Sequence, residues 1–159
     1  MPQLKRVLYN ILCRNLADSV EFYRNLLDFE VIHESDWYVV LTPPGQPLVQ
    51  IGLIDQMSEF TPRHAWGEPY GSYLTFVVDD VLAAVERARE LAVEVFEEPV
   101  ALASGQTRAL IRDVNGLVID LSTPTEELAA RGDVAFAEAG KSTAIDQPQA
   151  EETRSQTLA

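Results

Sequence analysis

The sequence predicts an α+β fold in which two tandem βαβββ modules form a cupped mixed sheet with helices on its outer face. The first observation behind this is an internal repeat. Residues 8–19 (LYNILCRNLADS) run from a strand through a polar turn into a helix start, and residues 73–84 (YLTFVVDDVLAA) give the same order about 65 residues later. The second is that the likeness continues: 27–31 (LDFEV) matches 91–95 (LAVEV), where each helix gives way to a strand, and 48–51 (LVQI) matches 118–121 (VIDL). The spacing drifts by a few residues, as it must if loops change length while the elements stay fixed. The third is size. At 159 residues and 47% apolar, the chain suits one domain with a sizeable core, and a site is expected where the two modules meet.

The first module spans about 4–54. Over residues 4–14, Val7, Tyr9, Ile11 and Cys13 fall on one strand face and Leu8, Asn10 and Leu12 on the other. Asp18 or Ser19 offers a cap, after which Val20, Tyr23, Leu26 and Leu27 recur at helical spacing opposite Glu21, Arg24 and Asn25. This helix should end near Asp28. Strands follow at 29–34, 37–42 and 48–53, with Pro43, Pro44 and Gly45 turning the chain before the last. Residues 55–71 (DQMSEFTPRHAWGEPYG) carry two prolines, two glycines and no periodicity, and are read as a linker with a job to do. The second module, about 72–123, is expected to give a strand to residue 78, a helix over 80–91 and strands at 93–97, 106–112 and 117–122. The segment from Asp113 to Gly116 turns the final hairpin. The domain thus covers 1–124. Residues 125–159 form an acidic, polar tail, with a helix expected over 126–139 and little intrinsic order beyond Gly140.

Composition excludes several function classes. Twenty-five acidic against 12 basic residues leave a net charge of −13, so no cationic face is expected for nucleic acid. The single cysteine, Cys13, permits no internal disulfide and fits a reducing compartment. On its strand face Cys13 has no base beside it in sequence and reads as a buried, inert thiol. No run approaches the roughly 20 apolar residues of a membrane span, so the chain is read as cytoplasmic, with no membrane partner.

The helix SVEFYRNLL at 19–27 and the hairpin RDVNGLVIDL at 112–121, in this order within a duplicated βαβββ unit, resemble the vicinal oxygen chelate superfamily. That group includes glyoxalase I, bleomycin resistance proteins, fosfomycin resistance proteins and extradiol dioxygenases. The resemblance covers about 4–123 and implies a cupped sheet, in many members holding a divalent metal at the first and last strands of each module. Through the repeat those places fall on Leu8, Tyr73, Gln50 and Asp120. Only Asp120 is a strong donor, where such sites need three or more, so no metal and no other cofactor is expected. A shift of one residue brings in Tyr9 or Ser72, which supply neither histidine nor glutamate. His33 and His64 lack a second ligand at metal-binding spacing.

What remains is a lined cleft. By alternation Asn10, Leu12, Tyr73 and Thr75 face the cup, with Gln50 and Asp120 across it. Either Trp37 or Tyr38, according to register, projects inward, and Trp66 and Tyr70 of the linker stand at the mouth. The candidate ligand-binding residues are therefore Asn10, Trp37, Gln50, Trp66, Tyr70, Tyr73, Thr75 and Asp120, with no catalytic residue. Asp120 in an apolar cup must find a partner. Arg108, Arg112, Gln50 and Tyr73 are the candidates within the protein, and a cationic or hydroxylated ligand is the alternative. The reading that follows is a protein sequestering an aromatic or cationic small molecule without metal chemistry, as the resemblance to bleomycin resistance proteins implies. Two rivals stand beside it: a metal-dependent lyase, isomerase or dioxygenase with an atypical site at Gln50, Asp120 and Tyr73, and a protein-interaction module using linker and tail. The residues leave open whether one chain closes the cup alone; the resemblance implies a homodimer that exchanges halves.

Overall fold

Strand alternation sends the apolar residues of both halves to one side, and the folded chain buries them together. The computed structural model describes residues 1–131. Its first half comprises β1 (Tyr9–Cys13), α1 (Leu16–Leu27), β2 (Glu30–Glu34), β3 (Tyr38–Thr42) and β4 (Ile51–Asp55). The second comprises β5 (Leu74–Val77), α2 (Val81–Glu90), β6 (Val95–Ala101), β7 (Gln106–Arg112) and β8 (Val118–Pro124), followed by α3 (Thr125–Ala130). Each half makes a four-stranded mixed sheet, ordered β1-β4-β3-β2 and β5-β8-β7-β6. In each, the opening strand pairs parallel with the closing one, as a helical crossover requires. The two sheets are not hydrogen-bonded to one another, so the expected βαβββ duplication is present as two sheets.

Ile11 and Cys13 of β1, Val39 and Leu41 of β3, and Ile51 and Leu53 of β4 are buried with Ala109, Ile111, Ile119 and Leu121 of the second sheet in one continuous core. Phe22, Tyr23 and Leu26 of α1 and Val81, Val85 and Ala88 of α2 complete it. Each Val, Leu, Ile or Phe buried here is worth about 1.5–3 kcal/mol. The halves are also locked by polar contacts. Asp113 accepts the Tyr23 hydroxyl on Oδ2 at 2.8 Å, while its Oδ1 accepts the main-chain N–H groups of Asn115 and Leu117, each at 2.8 Å. Asn115 accepts the Arg14 N–H and donates to Ser19 Oγ, both at 3.0 Å. The hairpin segment expected only to turn the chain is therefore the joint between modules.

Several boundaries differ from expectation. Helix α1 starts before Asp18 because Asn15 caps it, its side chain accepting from the Asp18 N–H at 3.0 Å. Ser19, also expected as a cap, is buried and donates to the Asn15 carbonyl at 2.8 Å. Asp28 ends the helix as expected, in the left-handed conformation with φ 55°. Strand β4 begins at Ile51 rather than at residue 48, because the Thr42 hydroxyl bonds the Gln46 and Val49 carbonyls and holds 46–49 as a loop. Of the expected tail helix, Thr125–Ala130 is helical; the rest of the tail lies outside the described residues.

Candidate functional site

The residues alternating with the core on the first sheet are Asn10, Tyr38, Val40 and Gly52, with Gln50 just ahead of β4. Asn10 of β1 and Val40 of β3 both pair with Gly52 on the strand between them. The Tyr38 hydroxyl reaches across Gly52 to Asn10 Oδ1 at 3.4 Å. A Cβ on Gly52 would sit 2.1 Å from Asn10 Oδ1 and 2.8 Å from Tyr38 Cε2, so the two side chains close over the strand only because position 52 is bare. Beside them Arg6, Ile32, His33, Tyr38, Val40 and Gln50 line a cavity of about 580 Å³. Burial raises the Tyr38 hydroxyl pKa, with Arg6 pulling the other way.

Of the two residues considered for the inward place, Tyr38 takes it. Trp37 stacks on Tyr38 with centroids 5.4 Å apart and meets Phe60 of the linker at 4.9 Å. His33 approaches the other side of Tyr38 at 5.9 Å, which makes a run of four rings from β2 to the linker. A broader groove of about 730 Å³ lies on the other side of this sheet, between α1 and the β2–β3 turn, lined by Val20, Glu21, Arg24 and Asp36 among others. None of the described buried polar atoms without a partner belongs to its lining.

On the second sheet the corresponding face carries Thr75, Gln106, Arg108, Leu110, Asp120 and Ser122, with Tyr73 just ahead of β5. Asp120 is buried; its Oδ2 accepts from the Thr75 hydroxyl at 3.4 Å, and its Oδ1 has no partner. Neither Gln50 nor Tyr73 bonds it. Gln50 donates instead to the Pro47 carbonyl at 2.9 Å. Arg108 pairs with Glu97 at 3.3 Å, and Arg112 pairs with Glu94 while stacking on Phe96. Desolvation raises the Asp120 pKa, Arg108 and Thr75 oppose it, and Glu97 adds to it.

The folded state thus holds the Asp120 proton more tightly than the unfolded chain does. Its stability contribution falls as pH rises from the unfolded carboxylate range, about 3.9, through the folded value. Asp120→Asn should stabilise the protein by about 1 kcal/mol at pH 7. The gain should vanish below about pH 3, where the carboxyl is protonated in both states. Urea melts at the two pH values check this.

Strand pairing also revises the match between halves. Asn10 stands opposite Gly52 as Thr75 stands opposite Asp120, so the partner of Asp120 in the repeat is Gly52 rather than Gln50. Likewise Tyr38 pairs with Ile54 as Arg108 pairs with Ser122, which makes Tyr38 and Arg108 equivalent. One half therefore holds Asn10, Tyr38 and Gly52, and the other Thr75, Arg108 and Asp120. In neither register do the positions at which the resemblance implies a metal supply three strong donors, and among the described residues no cluster of three or more His, Cys, Asp or Glu is placed to hold one. Among the described residues these positions offer one strong donor, Asp120, a poor match for a divalent ion.

The linker bends through a short 3₁₀ turn, Arg63–Ala65, and runs along β1. Arg14 grips both carboxylate oxygens of Glu68 at 2.8 Å. Asn10, Leu12, Glu68 and Tyr70 share a narrow cavity of about 210 Å³ there. Trp66 is covered on one face by the Arg63 guanidinium, 4.1 Å from the ring centroid, whereas the Tyr70 ring is almost wholly exposed. Tyr73 is also exposed. Tyr70 lies beside β1, Phe60 packs on Trp37, and neither Trp66 nor Tyr70 stacks on an inward-facing ring of either sheet. Cys13 is buried, and desolvation pushes its thiol up to about 11. Folded protein at pH 8 should therefore resist a thiol reagent that labels the urea-unfolded chain within minutes, as a colorimetric assay will show.

These features define a duplicated βαβββ protein with a polar inner face. The sequence profile of the Glyoxalase/Bleomycin resistance protein/Dioxygenase superfamily matches residues 4–121, and the chain belongs to that superfamily. Among solved structures it is similar to integron cassette protein VCH_CASS1 from the mobile metagenome of V. Cholerae, with 25% identity and a TM-score of 0.59 over 77% of this chain and 97% of that one. It shares its fold with a glyoxalase/bleomycin resistance protein/dioxygenase family enzyme from Burkholderia phytofirmans PsJN, at 18% identity, TM-score 0.63, covering 74% of this chain and 96% of that one. It also shares it with TnmS3, an antibiotic binding protein from Streptomyces sp. CB03234, at 22% identity, TM-score 0.60, covering 78% and 98%. Among curated proteins no sequence matches the chain. Among the described residues no helix is long and apolar enough to cross a membrane.

Proposed function

We propose that the chain is a small-molecule-binding protein that sequesters an aromatic or cationic ligand between its two half-faces, without metal chemistry. One observation carries this reading. Four buried side-chain polar atoms have no hydrogen-bond partner among the described residues: Gln50 Oε1, Gln106 Oε1, Arg108 Nε and Asp120 Oδ1. All four belong to the faces turned away from the helices. Buried polar groups are nearly always paired, so orphans gathered on one kind of surface mark where an incoming group binds. The ring run from His33 to Phe60 suits a planar ligand, and the net charge of −13 favours a cation in approach. TnmS3, of the same fold, is described as an antibiotic binding protein.

Asn10, Gln50, Thr75 and Asp120 contact the ligand in this reading, with Tyr73, Trp37, Trp66 and Tyr70 at its rim. The cavity beside Gln50 takes every lining residue from the first half. Ile32, Tyr73 and Val77 lie exposed. A second copy bringing its second half against the first half of its partner would unite the two faces into a closed cleft. Light scattering should accordingly give a dimer mass. Isothermal titration with cationic glycopeptide and planar aromatic compounds should give saturable binding that survives chelator treatment. No binding across that panel would sink the proposal, as would stoichiometric zinc, nickel, manganese or iron in carefully purified protein.

A further inference from the structure

We propose that the groove between α1 and the β2–β3 turn docks a short amphipathic helix of a protein partner, one that presents a leucine-like anchor between lysines or arginines. The duplication points to it, because the second half fills the same place with a helix of its own. Strand pairing equates Tyr38 with Arg108, so by count Ser35 answers to Gly105 and Trp37 to Thr107. Asn15 and Asp80, which cap α1 and α2 in the same way, set Leu16 against Val81. In the second half α3 bridges from the strand turn to the helix start. The Thr125 N–H bonds the Gly105 carbonyl at 2.8 Å and the Thr125 hydroxyl meets that of Thr107 at 2.9 Å, while Arg131, just past the other end, pairs with Asp80. Between these ties Leu128 is fully buried.

In the first half the chain leaves β4 differently. The Asp55 carbonyl accepts from the Ser58 N–H and the Thr61 hydroxyl, which turns 56–61 back on itself, and Phe60 packs on Trp37. No residue of that segment lines the groove, which stands open at about 730 Å³ with Leu16, Ala17, Val20 and Val39 along it. A helix laid there as α3 is laid in the second half brings one apolar side chain against these four, the usual anchor of helix-in-groove docking. Charge then selects the partner. Glu21, Glu34 and Asp36 border the groove, and Arg24 is the one basic residue of its lining. An adjoining hollow that shares Arg24 and Glu34 adds Asp28 and Glu30. None of these carboxylates forms an ion pair among the described residues. Lysine or arginine beside the anchor meets them, whereas an acidic helix is repelled. A second copy offering its own α3 is disfavoured on both counts, since that helix carries Glu126 and Glu127 and has already buried its leucine.

Three end-blocked peptides of about 14 residues, long enough to populate a helix, test this. One has leucines at i, i+3 and i+7 with lysines flanking them, the second has glutamate for lysine, and the third has serine for leucine. Titrated into the ¹⁵N-labelled full chain and followed by two-dimensional NMR, the lysine–leucine peptide should shift the amide signals of 16–25 and 34–39 saturably. It should bind about tenfold or more tighter than either counterpart. Joint Glu21→Lys, Glu34→Lys and Asp36→Lys changes should reverse the order of the lysine and glutamate peptides. The milder pair Glu21→Gln and Asp36→Asn should weaken the lysine peptide about threefold or more, and the variant spectra report folding directly. Equal binding of the serine-for-leucine peptide marks mere attraction to a chain of net charge −13 and overturns the proposal. Shifts elsewhere, or none, overturn it as well. Groove signals that move when the chain alone is diluted assign the groove to a second copy. Larger groove shifts with a peptide of residues 132–159 than with the lysine–leucine peptide assign it to the chain's own tail, and either result overturns the partner helix.

Discussion

Asp113→Ala should destabilise the protein by about 3–5 kcal/mol, a large share of the 5–15 kcal/mol typical of a domain. Asp113 is buried in the β7–β8 turn and satisfies three donors at once, the Tyr23 hydroxyl and the main-chain N–H groups of Asn115 and Leu117. Alanine leaves all three unpaired, and none can turn to water without opening the turn. The loss also spreads. Asn115, positioned by Asp113, bonds Arg14 and Ser19 of the first half, and Tyr23 packs edge-on against Phe22, Phe29 and Phe76 at 4.9, 5.7 and 6.4 Å. Phe76 belongs to the second half, so the ring cluster and the turn are one joint. Tyr23→Phe, which removes one donor and keeps the rings, should cost only about 1 kcal/mol. Urea unfolding followed by circular dichroism measures both, and an Asp113→Ala loss under about 1 kcal/mol would refute the role of this turn as the joint.

The duplication could be read because it rests on two strong periodicities and on turn chemistry, as in Asp80, which caps α2 by accepting the Ala83 N–H. The pairing register was not legible, for a physical reason. Sliding a strand by two residues keeps every side chain on its own face, so the alternation that identified Gln50 as inward-facing was equally satisfied by Gly52. Local likeness of LVQI to VIDL favoured Gln50, whereas the hydrogen-bonded ladder equates Asp120 with Gly52. A glycine also offers no side chain to notice; its signal is that a strand interior should not contain one without a reason. Register decided the choice between Trp37 and Tyr38 too. Arg108 was visible as a neighbour of Asp120, but its capture by Glu97 was not, because the β6–β7 pairing shifts at irregularities on either side of Glu97 that sequence does not reveal. Trp66 reads from the sequence as a residue at the mouth of the cleft, and the Arg63 guanidinium over one face of its ring comes from a turn that has no periodic signal.

Gly52→Ala should cost only about 1–2 kcal/mol of stability yet weaken binding of planar aromatic ligands about tenfold or more. The backbone is not the obstacle: Gly52 lies outside the left-handed region, and alanine tolerates a strand at least as well as glycine. The obstacle is the closed pair above it. A methyl group cannot stand 2.1 Å from Asn10 Oδ1 and 2.8 Å from Tyr38 Cε2. Both obstructing atoms end side chains that can rotate, so the fold survives while the Tyr38–Asn10 contact breaks. The Tyr38 ring must then tilt towards the cavity it lines, and its near-parallel stack on Trp37, at 24°, goes with it. Near-ultraviolet circular dichroism should register the lost stack without a change in the far ultraviolet. A second substitution separates this mechanism from a general weakening of β4. In an Asn10→Ala background the atom at 2.1 Å is gone, so the stability cost of Gly52→Ala should fall by at least half, a coupling that a double-mutant cycle measures. Additive costs would place the effect in the strand itself and remove Gly52 from the site.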